Sequence, residues 1–133
     1  MAFGEESRQP ASRVRGRVQV ATRERQDGRP CCCPLYHEAI ELIGRRWTGA
    51  IVGVLILEQR GLRFKEVAAA VPELSDRLLS ERMKELEARG LVLRTVTPGR
   101  PVRVEYALTE MGRELAPAVH ELERWARRWL AAG

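Results

Sequence analysis

Residues 74–108 carry the pattern that most limits what this chain can fold into. One amphipathic helical stretch runs, across a single glycine, into two alternating runs joined by a proline- and glycine-rich turn. Ser75 stands where a helix needs a cap, because its hydroxyl can accept from a first-turn N–H that has no partner inside the helix. Asp76 adds negative charge at the positive end of the helix dipole. Advancing about 100° per residue gathers Leu78, Leu79, Met83 and Leu86 on one side and Arg77, Ser80, Glu81 and Lys84 on the other. Gly90 is expected to stop the helix after Arg89. Residues 91–97 and 102–108 then alternate with the period of two that marks a strand. Pro98-Gly99-Arg100-Pro101 supplies the turn between them.

Helical signals flank this block on both sides. Pro34 suits a first helical position, where its missing N–H would be unpaired in any case. Leu35, Ala39, Leu42 and Ile43 then share a face, and Gly44 closes the helix. Residues 47–59 are apolar nearly all round, which predicts a buried helix with Gly61 as its C-cap. Leu62-Arg63-Phe64 reads as extended, and a short helix over 65–70 ends before Pro72. Thr109 can cap a last helix that reaches nearly to the C-terminus, bent at Pro117. The predicted fold is mainly α with a small β-hairpin wing. Short helix, turn, longer helix and hairpin make a winged helix-turn-helix, with N- and C-terminal helices left for dimerisation.

Composition narrows the function classes. Of 133 residues, 23 are Lys or Arg against 18 Asp or Glu, a net charge of +5 that suits a polyanionic partner. Residues 1–30 hold Arg8, Arg13, Arg15, Arg17, Arg23, Arg25 and Arg29 and few large apolar groups. They are expected to form a mostly disordered basic arm, with residues 31–133 as the folded domain. His37 and His120 are the only histidines, and no phosphate loop, nucleophile elbow or metal-protease motif occurs, so catalysis is not expected. No apolar run is long enough to span a bilayer, and no signal segment is expected. Cys31, Cys32 and Cys33 stand side by side and odd in number, which argues against structural disulfides and for a reducing cytoplasm. Cys33 and His37 have helical spacing but no second ligand cluster. No metal or cofactor is expected.

Several stretches, in order, resemble the HxlR family of bacterial winged-helix regulators. They are Cys33-Pro34, Gly44-Arg45-Arg46-Trp47-Thr48, Leu62-Arg63-Phe64-Lys65-Glu66-Val67, Leu74-Ser75, Arg82-Met83-Lys84-Glu85-Leu86, Gly90-Leu91-Val92, Arg103-Val104-Glu105-Tyr106-Ala107-Leu108-Thr109 and Met111-Gly112-Arg113. The match covers most of the chain. The longer arm and the tripled cysteine depart from it. The resemblance implies a dimeric DNA-binding transcriptional regulator. It also implies that a cysteine at the position of Cys33 can sense oxidants or electrophiles. The alternatives are a winged-helix protein–protein module without DNA binding, and a metal-responsive regulator.

On this reading double-stranded DNA meets the outer face of the fourth helix. Ser75 lies at its start, Arg77 and Lys84 donate to guanine or phosphate, Ser80 serves either way, and Glu81 accepts from cytosine. Arg100 and Arg103 would place the wing on the minor groove or backbone. Arg63 and Lys65 are phosphate candidates. Arg82 points toward the core and is read as structural, its head held by a carboxylate or carbonyls. Met111, Leu115, Ala118, Leu122, Trp125 and Trp129 recur at intervals of three and four, a seam suited to a second copy. The alternative for that seam is packing on the chain's own first two helices. Cys33 is expected at the N-cap of the first helix, where unpaired N–H groups favour a thiolate. Arg29 and Arg45 are nearby cations, and Cys31 and Cys32 are candidate resolving thiols.

Overall fold

A computed structural model of the protein describes Gly28 and residues 31–131. The expected arm, with Arg29, therefore lies almost wholly outside the described residues. The chain forms two compact units, one ending at Ile43 and the other starting at Gly44. The first holds α1 (Pro34–Ile43), whose opening bond is donated by the His37 N–H to the Cys33 carbonyl at 2.9 Å. None of its residues is buried, and Leu35, Tyr36 and Ile40 stand exposed.

The second unit runs α2 (Thr48–Leu57), α3 (Phe64–Ala70), α4 (Asp76–Ala88), β1 (Val92–Thr97), β2 (Arg103–Leu108), α5 (Glu110–Arg113) and α6 (Ala116–Trp129). Its core forms where α2 gives Ile51, Val52 and Leu55, α3 gives Val67, and α4 gives Leu79, Met83 and Leu86. Leu62, Leu91, Val92 and Leu108 close it from the hairpin side. The strands pair antiparallel, with Val92 opposite Leu108 and Thr97 opposite Arg103. Leu62 extends the sheet by a bridge to Tyr106, each donating its N–H to the other's carbonyl at 2.8 and 2.7 Å.

Three expectations are corrected. Gly61 is not the C-cap of α2, which ends with Glu58 in that role. A β-carbon at Gly61 would come within 2.9 Å of the Glu105 Cβ, so the glycine serves close approach to β2. Second, α2 is not buried all round, because Leu57 is 81% exposed. Third, the last helix is broken, not bent. Pro117 lacks an N–H and its ring excludes the carbonyl four residues back, that of Arg113. That is where α5 stops, and Pro117 falls in the first turn of α6, where no donor is needed. Thr109 caps α5, its hydroxyl accepting from the Gly112 N–H at 3.2 Å.

Trp47, the residue before α2, has φ 76°, a left-handed conformation that costs a non-glycine residue about 1–3 kcal/mol. Bonds on both sides fix it. The Thr48 N–H donates to the Arg45 carbonyl and the Ile51 N–H to the Trp47 carbonyl, both at 3.0 Å. The Arg46 guanidinium lies 5.0 Å from the centre of the Trp47 ring.

Candidate nucleic-acid interface

The cap expected at Ser75 forms. Its hydroxyl accepts from the Leu78 N–H at 3.2 Å, with Asp76 in the first turn. This fixes the phase of α4. Leu79, Met83 and Leu86 turn inward and Arg77, Glu81 and Lys84 outward, with Leu78 and Ser80 half-buried between. The Arg77 side chain is 91% exposed and its Nε lies 3.5 Å from a Glu81 carboxylate oxygen. A surface pair of this kind contributes about 0–1 kcal/mol. Both groups can therefore exchange each other for a new partner at small cost.

Arg82 behaves as the sequence implies. It is buried on the inner side of α4, its Nε donating to the Arg46 carbonyl at 3.1 Å and its Nη1 to Glu85 at 3.4 Å. Arg45 reaches the other oxygen of Glu85 at 3.3 Å. Arg45 is thus engaged with α4 through Glu85. The corner that carries the strained Trp47 is tied to α4 through two arginines and one carboxylate.

At the hairpin, Arg100 and Arg103 are exposed, and Arg103 pairs with Glu105 at 3.5 Å. Arg63 lines a groove of about 300 Å³ with Thr97, Pro98, Pro101, Val102 and Arg103. The fold thereby gathers Arg63 with the wing. Lys65 is exposed on α3. The Arg63 N–H donates to the Glu66 carboxylate at 2.8 Å. That bond, helped by the charge of Arg60, holds the Glu66 carboxyl below its ordinary value.

A second groove, of about 350 Å³, runs between α4 and the hairpin, lined by Ser80, Met83, Lys84, Glu87, Arg94 and Tyr106. The sequence reading missed Arg94 and Tyr106 as site residues. The signal that finds them is strand register. They sit directly opposite each other, in phase with the buried pair Val92 and Leu108.

No residue of α6 is buried, and Leu122, Trp125 and Trp129 are exposed, the tryptophans by 53% and 59%. Ala118 is exposed and Leu115 half-buried, while Met111, exposed, lies on the separate helix α5. One side of α6 also touches α2. Of the cysteines, Cys33 is 7% exposed, Cys31 is half-buried and Cys32 is exposed, its thiol directed to the Cys33 carbonyl at 3.5 Å.

A capped helix with an outward polar face, preceded by a short helix and turn and followed by a two-stranded hairpin, defines a winged helix-turn-helix protein. Residues 42–133 match the model of the HxlR-like helix-turn-helix family, and the chain belongs to that family. It is a transcriptional regulator of the helix-turn-helix type. It is 46% identical over 98 residues to YvaP of Bacillus subtilis, an HTH-type transcriptional regulator, covering 74% of this chain and 89% of YvaP. The reduced form of the transcriptional regulator YodB from B. subtilis superposes with a TM-score of 0.67 at 40% identity, over 77% of this chain and 99% of YodB. Quinone-bound YodB gives 0.62 at 37% identity, over 73% of this chain and all (100%) of YodB. Among the described residues no helix is long and apolar enough to cross a membrane.

Proposed function

We propose that the protein is a cytoplasmic homodimer that binds an inverted-repeat DNA operator and is controlled by oxidants or electrophiles at Cys33. The outward face of α4 carries the proposal: Arg77, Ser80, Glu81 and Lys84 form one stripe of donors and acceptors above a buried apolar side. Such a helix can enter the major groove and read base edges. The exposed Arg100 and Arg103 suit backbone or minor-groove contact, and Arg63 and Lys65 suit phosphates. The arginines within residues 1–30 add positive charge suited to the DNA backbone.

A second copy is the natural partner for the exposed tryptophans of α6, and the exposed apolar residues of α1 offer it a surface of their own. Pairing would set two α4 helices about 34 Å apart, one DNA turn. Thiol control follows from the triplet and from the kinship with a quinone-binding regulator. Cys33 is buried while Cys32 is exposed, so reagent reaches Cys33 when the start of α1 opens. An adduct there, or a bridge to Cys31 or Cys32 of the second copy, keeps it from closing. The chain then runs through the corner at Trp47, whose neighbour Arg46 holds Arg82 of α4.

The experiment is selection of duplexes from a randomised pool by the native protein, followed by affinity measurements on the selected site. Arg77→Ala should cost about 1–3 kcal/mol and relax the preference at one base position. Mild diamide should change the affinity of the native protein and leave Cys33→Ser unaffected. An Arg77→Ala protein with native affinity and native preference removes α4 from the reading surface. A Cys33→Ser protein that responds like the native one removes Cys33 as the sensor.

A further inference from the structure

The groove between α4 and the hairpin shares Ser80 and Lys84 with the base-reading face and adds Glu87, Arg94 and Tyr106, which that face does not use. Ser80, Lys84 and Glu87 are four and three residues apart, which sets them in one stripe along α4. The wall facing them is the cross-strand pair Arg94 and Tyr106. Side chains alternate between the two faces of a strand, and Val92 and Leu108, two residues away in phase, are buried. The face carrying Arg94 and Tyr106 is therefore the one turned to α4, which packs on β1. Met83, buried, forms the apolar floor.

Charge separates this groove from its surroundings. Arg77 is matched by Glu81, Arg103 by Glu105, and Arg45 and Arg82 by Glu85. Lys84 and Arg94 have no ion-pair partner among the described residues. Glu87 on the rim is the one carboxylate lining the groove, which leaves two cations against one anion. Two hydroxyls, of Ser80 and Tyr106, add neutral donors.

We propose that this groove seats the sugar–phosphate strand of bound DNA that divides the major from the minor groove, with Arg94 and Lys84 on its phosphates. The inference rests on the proposed reading role of α4. If α4 lies in the major groove and the hairpin tip reaches the adjacent minor groove, one phosphodiester strand must cross between them. The groove, of about 350 Å³, has room for a sugar–phosphate unit. Unneutralised cations beside two hydroxyls are the chemistry that a phosphodiester accepts from. Arg94 thus joins the DNA-binding residues as an anchor that sets how deep α4 enters, independent of base sequence. Glu87 opposes the strand and limits its hold.

The test measures affinity for the selected duplex, and for a random-sequence duplex of equal length, across a range of salt concentrations. Arg94→Ala should reduce the steepness of log affinity against log salt by about 0.9 for each phosphate that the variant leaves unneutralised. That reduction should be equal on both duplexes and leave base preference as in the native protein. Arg94→Lys keeps the charge and should keep the slope. Glu87→Gln should shift affinity the other way, upward on both duplexes. An unchanged slope in Arg94→Ala overturns the inference. So does a change in base preference at one position, which would make Arg94 a base reader. A slope reduced equally in Arg94→Lys also overturns it, because charge would then not be the cause. A native protein that binds neither duplex defeats the reading of α4 as well, and so is told apart from failure of the groove alone.

Discussion

The helices α2 and α6 are both rich in apolar groups and teach opposite lessons. The sequence of α2, Thr-Gly-Ala-Ile-Val-Gly-Val-Leu-Ile-Leu, has no polar face, yet one side of it, with Ile51, Val52 and Leu55, supplies the centre of the core. The sequence of α6 is sharply two-faced and buries nothing. A helix without amphipathic pattern can thus be the best-packed element of a fold. A helix with a strong pattern can be left facing outward, because the pattern says only that one side seeks an apolar surface. For α2 that surface is inside the chain. For α6 it is supplied in part by α2 and, on our proposal, mostly by a second copy.

The largest expected effect tests the second half of that contrast. Trp125→Glu combined with Trp129→Glu should leave the protomer folded by circular dichroism and convert dimer to monomer in sedimentation. Operator affinity should fall about 10²–10⁴-fold, since two half-sites held together gain that much by linkage. A surviving dimer would move the interface elsewhere. The next effect tests the first half. Leu55→Ala should lower unfolding free energy by about 2–5 kcal/mol in a denaturant titration, with oligomeric state at the native value in the folded baseline. A cost below about 1 kcal/mol would mean that α2 is not the centre of the core. The smallest effect marks the border within α2 itself. Leu57→Gln, at an exposed site, should change stability by no more than about 0.5 kcal/mol and leave sedimentation unaltered. A fall into monomers there would draw the end of α2 into the subunit interface.

Those helices also show where sequence stops being informative. Local chemistry was legible. The Ser75 and Thr109 caps, the stop at Gly90 and the turn between Thr97 and Val102 each depend on groups a few residues apart, and the inward turn of Arg82 follows from its phase on the helix. Missing from the sequence was whatever depends on a distant partner. Gly61 looks like a helix stop, and only the approach of Glu105 reveals what its missing side chain makes room for. Pro117 could bend a helix or restart one, and the short helix before it is set by a distant contact, Gly112 lying against the Leu91 carbonyl. A β-carbon there would come within 2.5 Å of that oxygen. Arg94 reads as one exposed arginine among many until the register pairs it with Tyr106 across from Lys84. The carboxylate that holds Arg82 was expected in kind, but its sharing with Arg45 was not.

The hairpin register has a bearing on how such a chain can vary in length. Strand positions obey an even–odd rule, so adding or deleting a single residue inside β1 reverses which side chains face α4. With the change placed between Val92 and Arg94, Arg94 would swing to the outer side and Leu93 or Thr95 would take its place, while Val92 would stay in the core. The same insertion between Pro98 and Pro101 only lengthens the loop and leaves the parity of both strands intact. Change in chain length is thus admissible at the tip and forbidden a few residues below it. A wing can be extended or trimmed to suit a new stretch of double helix while the wall opposite Lys84 keeps its composition.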